Sequence, residues 1–177
     1  MIIAVICAII TILAILILTI KVKSDKLNYY NNKVIECEKK LQSSLEEKFS
    51  ILCELQQKIT SQLNDVEFNL LCDIEELKDD DFMLNAILNK AHNEIKIFLD
   101  DKRAYIPDNE AKELLDRLHQ TDIECTALKN YYNDYTKIIN SLIKKFPNNI
   151  IAKFQKIYNR ELYNDPVEEE FEILKKK

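Results

Sequence analysis

From Ile2 to Ile20 the chain carries no charged side chain, and Cys7, Thr11 and Thr19 are its only polar positions. Nine Ile, three Leu and one Val fill most of that run, which at about 1.5 Å per residue reaches about 28 Å, close to the thickness of bilayer hydrocarbon. Threonine hydroxyls can bond back to a carbonyl of the preceding turn, so they tax a membrane span little. Past Lys26 the pattern becomes periodic. Val34, Cys37, Leu41, Leu45, Phe49, Leu52, Leu55, Ile59, Leu63, Val66 and Leu70 take ten steps over 36 residues, which keeps one face of a nearly straight helix apolar. The positions between them are rich in Glu, Lys, Gln and Ser, as a solvated face should be, and no Pro or Gly separates this stretch from Ile20. The helix is therefore expected to leave the membrane unbroken, as a stalk.

Two places could end that first helix. Weak helix formers and capping residues cluster from Thr60-Ser61 to Asn64-Asp65, and Asp79-Asp80-Asp81 suits a helix N-terminus better than an interior. Periodicity through Ile74 and Leu77 favours the later break. Length matching favours the earlier one, which gives comparable helices near 24–62, 65–103 and 108–146 that can pack antiparallel along their length. The earlier break is preferred. Tyr105-Ile106-Pro107-Asp108 marks the next boundary, because Pro disfavours the α conformation before it and Asp108 is a good N-cap.

The following helix has its seam at Ala111, Leu114, Leu118, Thr121, Cys125, Leu128, Tyr132, Tyr135, Ile139, Leu142 and Phe146, ten steps over 35 residues, which is coiled-coil spacing. A bundle helix shares this pattern, and the chain supplies its own partners. Phe146-Pro147 closes the helix, and Asn148 or Asn149 can cap a shorter one carrying Ile150, Ile151, Phe154, Ile157 and Tyr158. The expected fold is all-α: an N-terminal transmembrane helix over residues 1–23, an antiparallel bundle of three long helices plus a short C-terminal helix over 24–163, and a charged flexible tail over 164–177.

Composition narrows the field further. The 177 residues include no Gly, and phosphate-cradling loops, dinucleotide fingerprints and tight hairpins all use positions that Gly fills best. Nucleotide-dependent and nucleophile-elbow enzymes are thereby disfavoured. Lys21, Lys23 and Lys26 flank the C-terminal end of the apolar run and no side-chain cation flanks the other. The positive-inside rule then places the N-terminus outside and the body in the cytoplasm of a single-pass cell-membrane protein. A cleaved signal peptide fits less well, since nothing basic precedes the run and no small-x-small site follows it. Cys37, Cys53, Cys72 and Cys125 are widely spaced, as buried small hydrophobes of a reducing compartment are.

The sequence offers little chemistry. His92 and His119 lie in no metal-ligand spacing, and there is no HExxH or paired cysteine. Asp79-Asp80-Asp81 lacks the Gly-containing loop of a calcium site. With a net charge of −5 and no basic stripe interleaved with aromatics, nucleic acid is not expected as a partner. No catalytic residue, cofactor, metal or small-molecule substrate is expected.

The segment Tyr131-Tyr132-Asn133-Asp134, then Asn140, Phe146-Pro147, Asn149-Ile150-Ile151-Ala152-Lys153-Phe154 and Tyr163 resembles the C-terminal signature of the LemA family. Tyr105-Ile106-Pro107-Asp108 is similar to that family's Tyr-Pro-Asp at the start of the same helix, and Thr121-Asp122 stands where its Thr-Glu pair is expected. Asn32-Lys33-Val34 and Leu45 to Leu55 resemble its first-helix pattern, and an N-terminal span is its layout. The departures are specific. Leu52-Cys53-Glu54-Leu55 lacks the family's Pro, Glu46-Glu47 replaces a basic pair, Glu124 replaces an Arg, and a Gly is lost near Lys156. The resemblance singles out Tyr132, Asn133, Asp134, Asn140, Phe146, Pro147, Asn149 and Ala152. Tyr132, Phe146 and Pro147 are read as a helix end packing on a neighbour, and the asparagines as caps or inter-helix hydrogen bonds. Together these readings imply a membrane-anchored helical scaffold or adaptor acting on an unidentified protein partner. The alternative is a homo-oligomer that shapes or organises a membrane compartment.

Overall fold

The computed structural model describes residues 1–62, 81–101 and 108–163. Among these the secondary structure is helical: α1 (Ile2–Gln62), α2 (Asp81–Asp101), α3 (Asn109–Ile143) and the short α4 (Asn148–Phe154). The preferred end of the first helix near 62 falls at the edge of residues 63–80. Those residues, with the Pro107 boundary and the charged tail, lie outside the described residues. α3 stops three residues short of the expected 146.

The start of α1 is the one helix among the described residues long and apolar enough to cross a membrane, and none of its apolar window is buried within the protein. Thr11 donates to the Cys7 carbonyl at 2.5 Å and Thr19 to that of Ile15 at 2.8 Å, so both hydroxyls are paired within the helix. The helix runs on without a break into the packed body.

The body of α1 buries a seven-residue series, Leu27, Val34, Leu41, Lys48 and Leu55, each at most 1% exposed. Ser44, Leu45, Ile51, Leu52 and Ile59 fill in beside it. This corrects the seam read from sequence at one position: Phe49 is only half-buried, and the charged Lys48 occupies the core. A strict seven-residue repeat holds one stripe toward its partners when the helix is wound at 3.5 residues per turn. α3 repeats the device with Ala111, Leu118, Cys125, Tyr132 and Ile139. Its expected last seam residue, Phe146, lies beyond the helix and is 80% exposed.

The chain forms two compact units. One, Glu38–Lys129, packs the second half of α1 against α2 and the first half of α3. α2 contributes Leu84, Leu88, Ala91 and Ile95 to its core. The start of α3 is fixed as its sequence suggests: Asp108 Oδ1 accepts the Ala111 N–H at 2.7 Å, and the acidic Glu110 in the first turn pairs with Lys58.

The other unit comprises Met1–Cys37 and Asn130–Lys177. Here the end of α3 packs on α1, with the Tyr30 and Tyr135 rings 6.4 Å apart, and the remaining cover comes from α4 and the irregular segment 157–163. Neither asparagine caps α4. Pro147 is its N-cap and makes no side-chain cap bond, while Asn148 donates to the Leu142 carbonyl at 3.2 Å and Asn149 accepts from the Ile150 N–H. α4 ends in a Schellman turn, in which the Ile157 N–H reaches the Ala152 carbonyl at 2.9 Å and the Lys156 N–H that of Lys153 at 3.3 Å. That turn requires a left-handed residue, and Lys156 adopts φ 56°. A side chain with a Cβ thus occupies a conformation that Gly holds at least cost, close to where the resemblance implies a glycine.

Candidate functional site

Two polar clusters stand out, one in each unit. In the unit that contains α4, the motif residues of α3 act on backbone. Asn133 accepts the Tyr163 N–H at 2.8 Å and donates to the Tyr163 carbonyl at 2.9 Å. Asn140 treats Arg160 in the same way, at 3.0 and 2.8 Å. The spacing explains the match. Seven residues of helix rise about 10.5 Å, and three residues of near-extended chain cover about 10 Å, so asparagines seven apart meet backbone groups three apart. A single amide side chain has one acceptor and two donor hydrogens, enough to satisfy both polar groups of one residue.

Tyr132 completes the clamp. Its hydroxyl donates to the Glu161 carbonyl at 3.1 Å, and its ring meets that of Tyr163 edge-on at 5.1 Å between centroids. Tyr132 and Tyr163 are both buried. The structure therefore brings Tyr132, Asn133 and Asn140 together on one segment, 160–163, and Ala152 is buried at the end of α4. It leaves the others apart: Asp134, Phe146 and Asn149 are exposed, and Pro147 is half-buried. The expected packing of Phe146 on a neighbour is not observed, because α3 ends at Ile143 and turns the ring outward.

The second cluster was not anticipated from the sequence. Lys48, 1% exposed, reaches Asp122 Oδ1 at 2.5 Å and Asn89 Oδ1 at 2.8 Å. His92 Nδ1 lies 3.7 Å from the same carboxylate oxygen. Three helices thus meet around one ammonium group: α1 gives Lys48, α2 gives Asn89 and His92, and α3 gives Asp122. Burial raises the Asp122 pKa, but the hydrogen bond and charge of Lys48 outweigh it and hold the carboxyl below its ordinary value. Burial, and then the Lys48 charge, push the His92 imidazole below its ordinary value of 6.5. Burial pushes the neighbouring Cys125 thiol up to about 11, so it is a packed thiol rather than a nucleophile.

The signal for this cluster was present in the repeat. Leu27, Val34, Leu41 and Leu55 predict that position 48 belongs to the buried series, and the Lys there marks a buried charge in need of a partner. Asp122, at the place of the family's Thr-Glu pair, supplies it. The lysines 21, 23 and 26 follow the apolar run on α1 and are not part of either cluster. No group of three or more His, Cys, Asp or Glu able to hold a metal ion occurs among the described residues.

The fold and these clusters define a class. This is an all-helical bundle protein with, among its described residues, one helix apolar enough to cross a membrane, and its polar motif joins parts of its own chain. The chain belongs to the LemA family, whose family model matches residues 54–173. The match includes α3, α4 and the whole clamp, while Lys48 and all but the last two residues of the first-helix likeness precede it. No curated protein and no solved structure matches the chain.

Proposed function

We propose that the protein is a single-pass membrane protein in which residues 2–20 anchor a cytoplasmic helical body that binds another protein, as a scaffold or adaptor and without catalysis. The observation that carries this reading is the continuity of α1. One helix holds both a fully exposed apolar stretch and the start of the buried seam of the body. The lysines at 21, 23 and 26 support the cytoplasmic side. The alternative, self-assembly around a membrane compartment, took its motive from the seam of α3. Most of that seam is covered by the chain's own helices, so it no longer supports an oligomer.

Topology is tested with a thiol reagent that cannot cross membranes, applied to intact cells carrying the full chain with one added C-terminal cysteine. Labelling is expected only after permeabilisation. Labelling in intact cells would place the body outside. Crosslinking in the membrane then tests the adaptor role, with a discrete heteromeric product expected. A ladder of homo-oligomers would favour self-assembly instead.

A further inference from the structure

The clamped unit presents an apolar patch that its own packing leaves bare. Ile150 and Phe154 stand one turn apart on the face of α4 turned away from the buried Asn148, Ile151 and Ala152. Phe146 precedes the helix and Tyr158 follows it. These four residues are 47%, 86%, 80% and 67% exposed, respectively. Soluble surfaces seldom collect large rings in this way without a partner.

Two further observations say what covers them. The first is position. Gln155 donates to the Ser24 hydroxyl at 2.5 Å, which ties the end of α4 to α1 just past the apolar run. Ser24 lies four residues, about 6 Å of helix rise, beyond Ile20, and the headgroup layer of a bilayer is about 5–8 Å deep on each side. The second is charge. From Tyr135 to Arg160 the chain has six basic residues and no acidic one, although its net charge is −5. Among them Lys144, Lys145, Lys153 and Lys156 are exposed around the patch. Aromatic and aliphatic side chains rimmed by lysines are what an interfacial helix offers to an anionic lipid surface.

We infer that α4 and its flanks are a second membrane contact: Phe146, Ile150, Phe154 and Tyr158 enter the boundary between headgroups and acyl chains of an anionic bilayer, and the surrounding lysines meet its phosphates. This rests on the anchoring of residues 2–20 proposed above. The Asn133 and Asn140 clamp then acquires a purpose, since it fixes the chain that leaves α4 and so holds the patch at the level of the lipid surface.

The absence of Trp gives a clean test. The full chain is reconstituted into phosphatidylcholine–phosphatidylglycerol vesicles as three single-Trp variants: Phe154→Trp in the patch, Leu13→Trp in the span, and Tyr131→Trp on exposed α3. The lipids carry bromine either near the headgroups or near the bilayer centre. Phe154→Trp is expected to show blue-shifted emission and to lose most of its intensity to shallow bromines. Leu13→Trp should be quenched by deep bromines, and Tyr131→Trp by neither.

Quenching of Leu13→Trp with a water-like, unquenched Phe154→Trp would overturn the second contact while leaving the anchor intact. It would give the patch to a protein partner. An unquenched Leu13→Trp would remove the anchor and the inference together. Equal quenching of Phe154→Trp in pure phosphatidylcholine would overturn the assignment to an anionic surface.

Discussion

The two units are held by different kinds of contact. In Glu38–Lys129, three helices meet through the identities of their side chains: Lys48 is buried, and Asp122 and Asn89 are what make its burial tolerable. In the unit of Met1–Cys37 and Asn130–Lys177, Asn133, Asn140 and Tyr132 grip the main chain of Glu161, Arg160 and Tyr163. Main-chain groups are supplied by any sequence, so the clamp depends on three residues of α3 and hardly on the identities of those it holds, apart from the Tyr163 ring. The ionic unit depends on both partners at once. A lesion should therefore spread differently in each: globally when a buried charge is orphaned, locally when a clamp residue is lost.

The largest effect is expected at Asp122. Asp122→Ala leaves the Lys48 ammonium buried with only Asn89, which should cost about 3–5 kcal/mol in urea unfolding of the detergent-solubilised chain. Lys48→Met keeps the volume and joins the leucine series, and the carboxylate it abandons is 37% exposed and can be hydrated. It should cost about 1 kcal/mol or less, or even stabilise. Equal losses for the two variants would break the distinction between orphaning a buried lysine and orphaning a hydrated aspartate.

The clamp should respond more mildly and more locally. Asn140→Ala removes two hydrogen bonds from part-buried backbone, a loss of about 1–2 kcal/mol. Limited proteolysis should then cut near Arg160 while the core of Glu38–Lys129 keeps its midpoint. A smaller change of opposite sign is expected at the Schellman turn. Lys156→Gly relieves the left-handed residue and should stabilise by about 0.5–1 kcal/mol, less whatever the unfolded chain gains in freedom. Differential scanning calorimetry would register a lower midpoint if the turn did not need φ > 0.

The smallest effect is a pH dependence. The folded His92 pKa lies below its ordinary value of 6.5, so the unfolded chain binds the proton more readily. Stability should fall as pH drops from about 6.5 through the depressed value. The depressed Asp122 pKa acts in the same direction at lower pH: its contribution is present above the ordinary carboxylate value and is lost as pH falls through the folded one. His92→Gln should flatten the first of these windows and leave the second, measured by urea midpoints across the acid range.

How much of this was legible in the sequence depended on what each residue met. The apolar span and the α3 seam from Ala111 to Ile139 could be read directly, because burial of apolar side chains at a fixed period writes itself into composition. Lys48 was misread because a periodicity count skips charged residues, and Phe49 next to it offered a plausible substitute. The clamp motif could be recognised as a pattern, but its partners could not be named, since backbone N–H and C=O groups have no sequence signature. Ile150, Ile151, Phe154, Ile157 and Tyr158 were legible as the apolar positions of a short helical segment, but not which of them that segment buries. The structure exposes Ile150 and Phe154 because a seven-residue helix has one inner face, and Asn148, Ile151 and Ala152 already fill it; Tyr158, past the end of that helix, is exposed as well.

Amide hydrogen exchange of the full chain in lipid nanodiscs tests the central claim, that the α3 motif fastens segment 160–163. The Arg160 and Tyr163 amides should be protected in the native protein. In Asn140→Ala, Arg160 should lose its protection while Tyr163, still held by Asn133, keeps most of its own. Exchange of both amides at unstructured-peptide rates in the native protein would contradict the account.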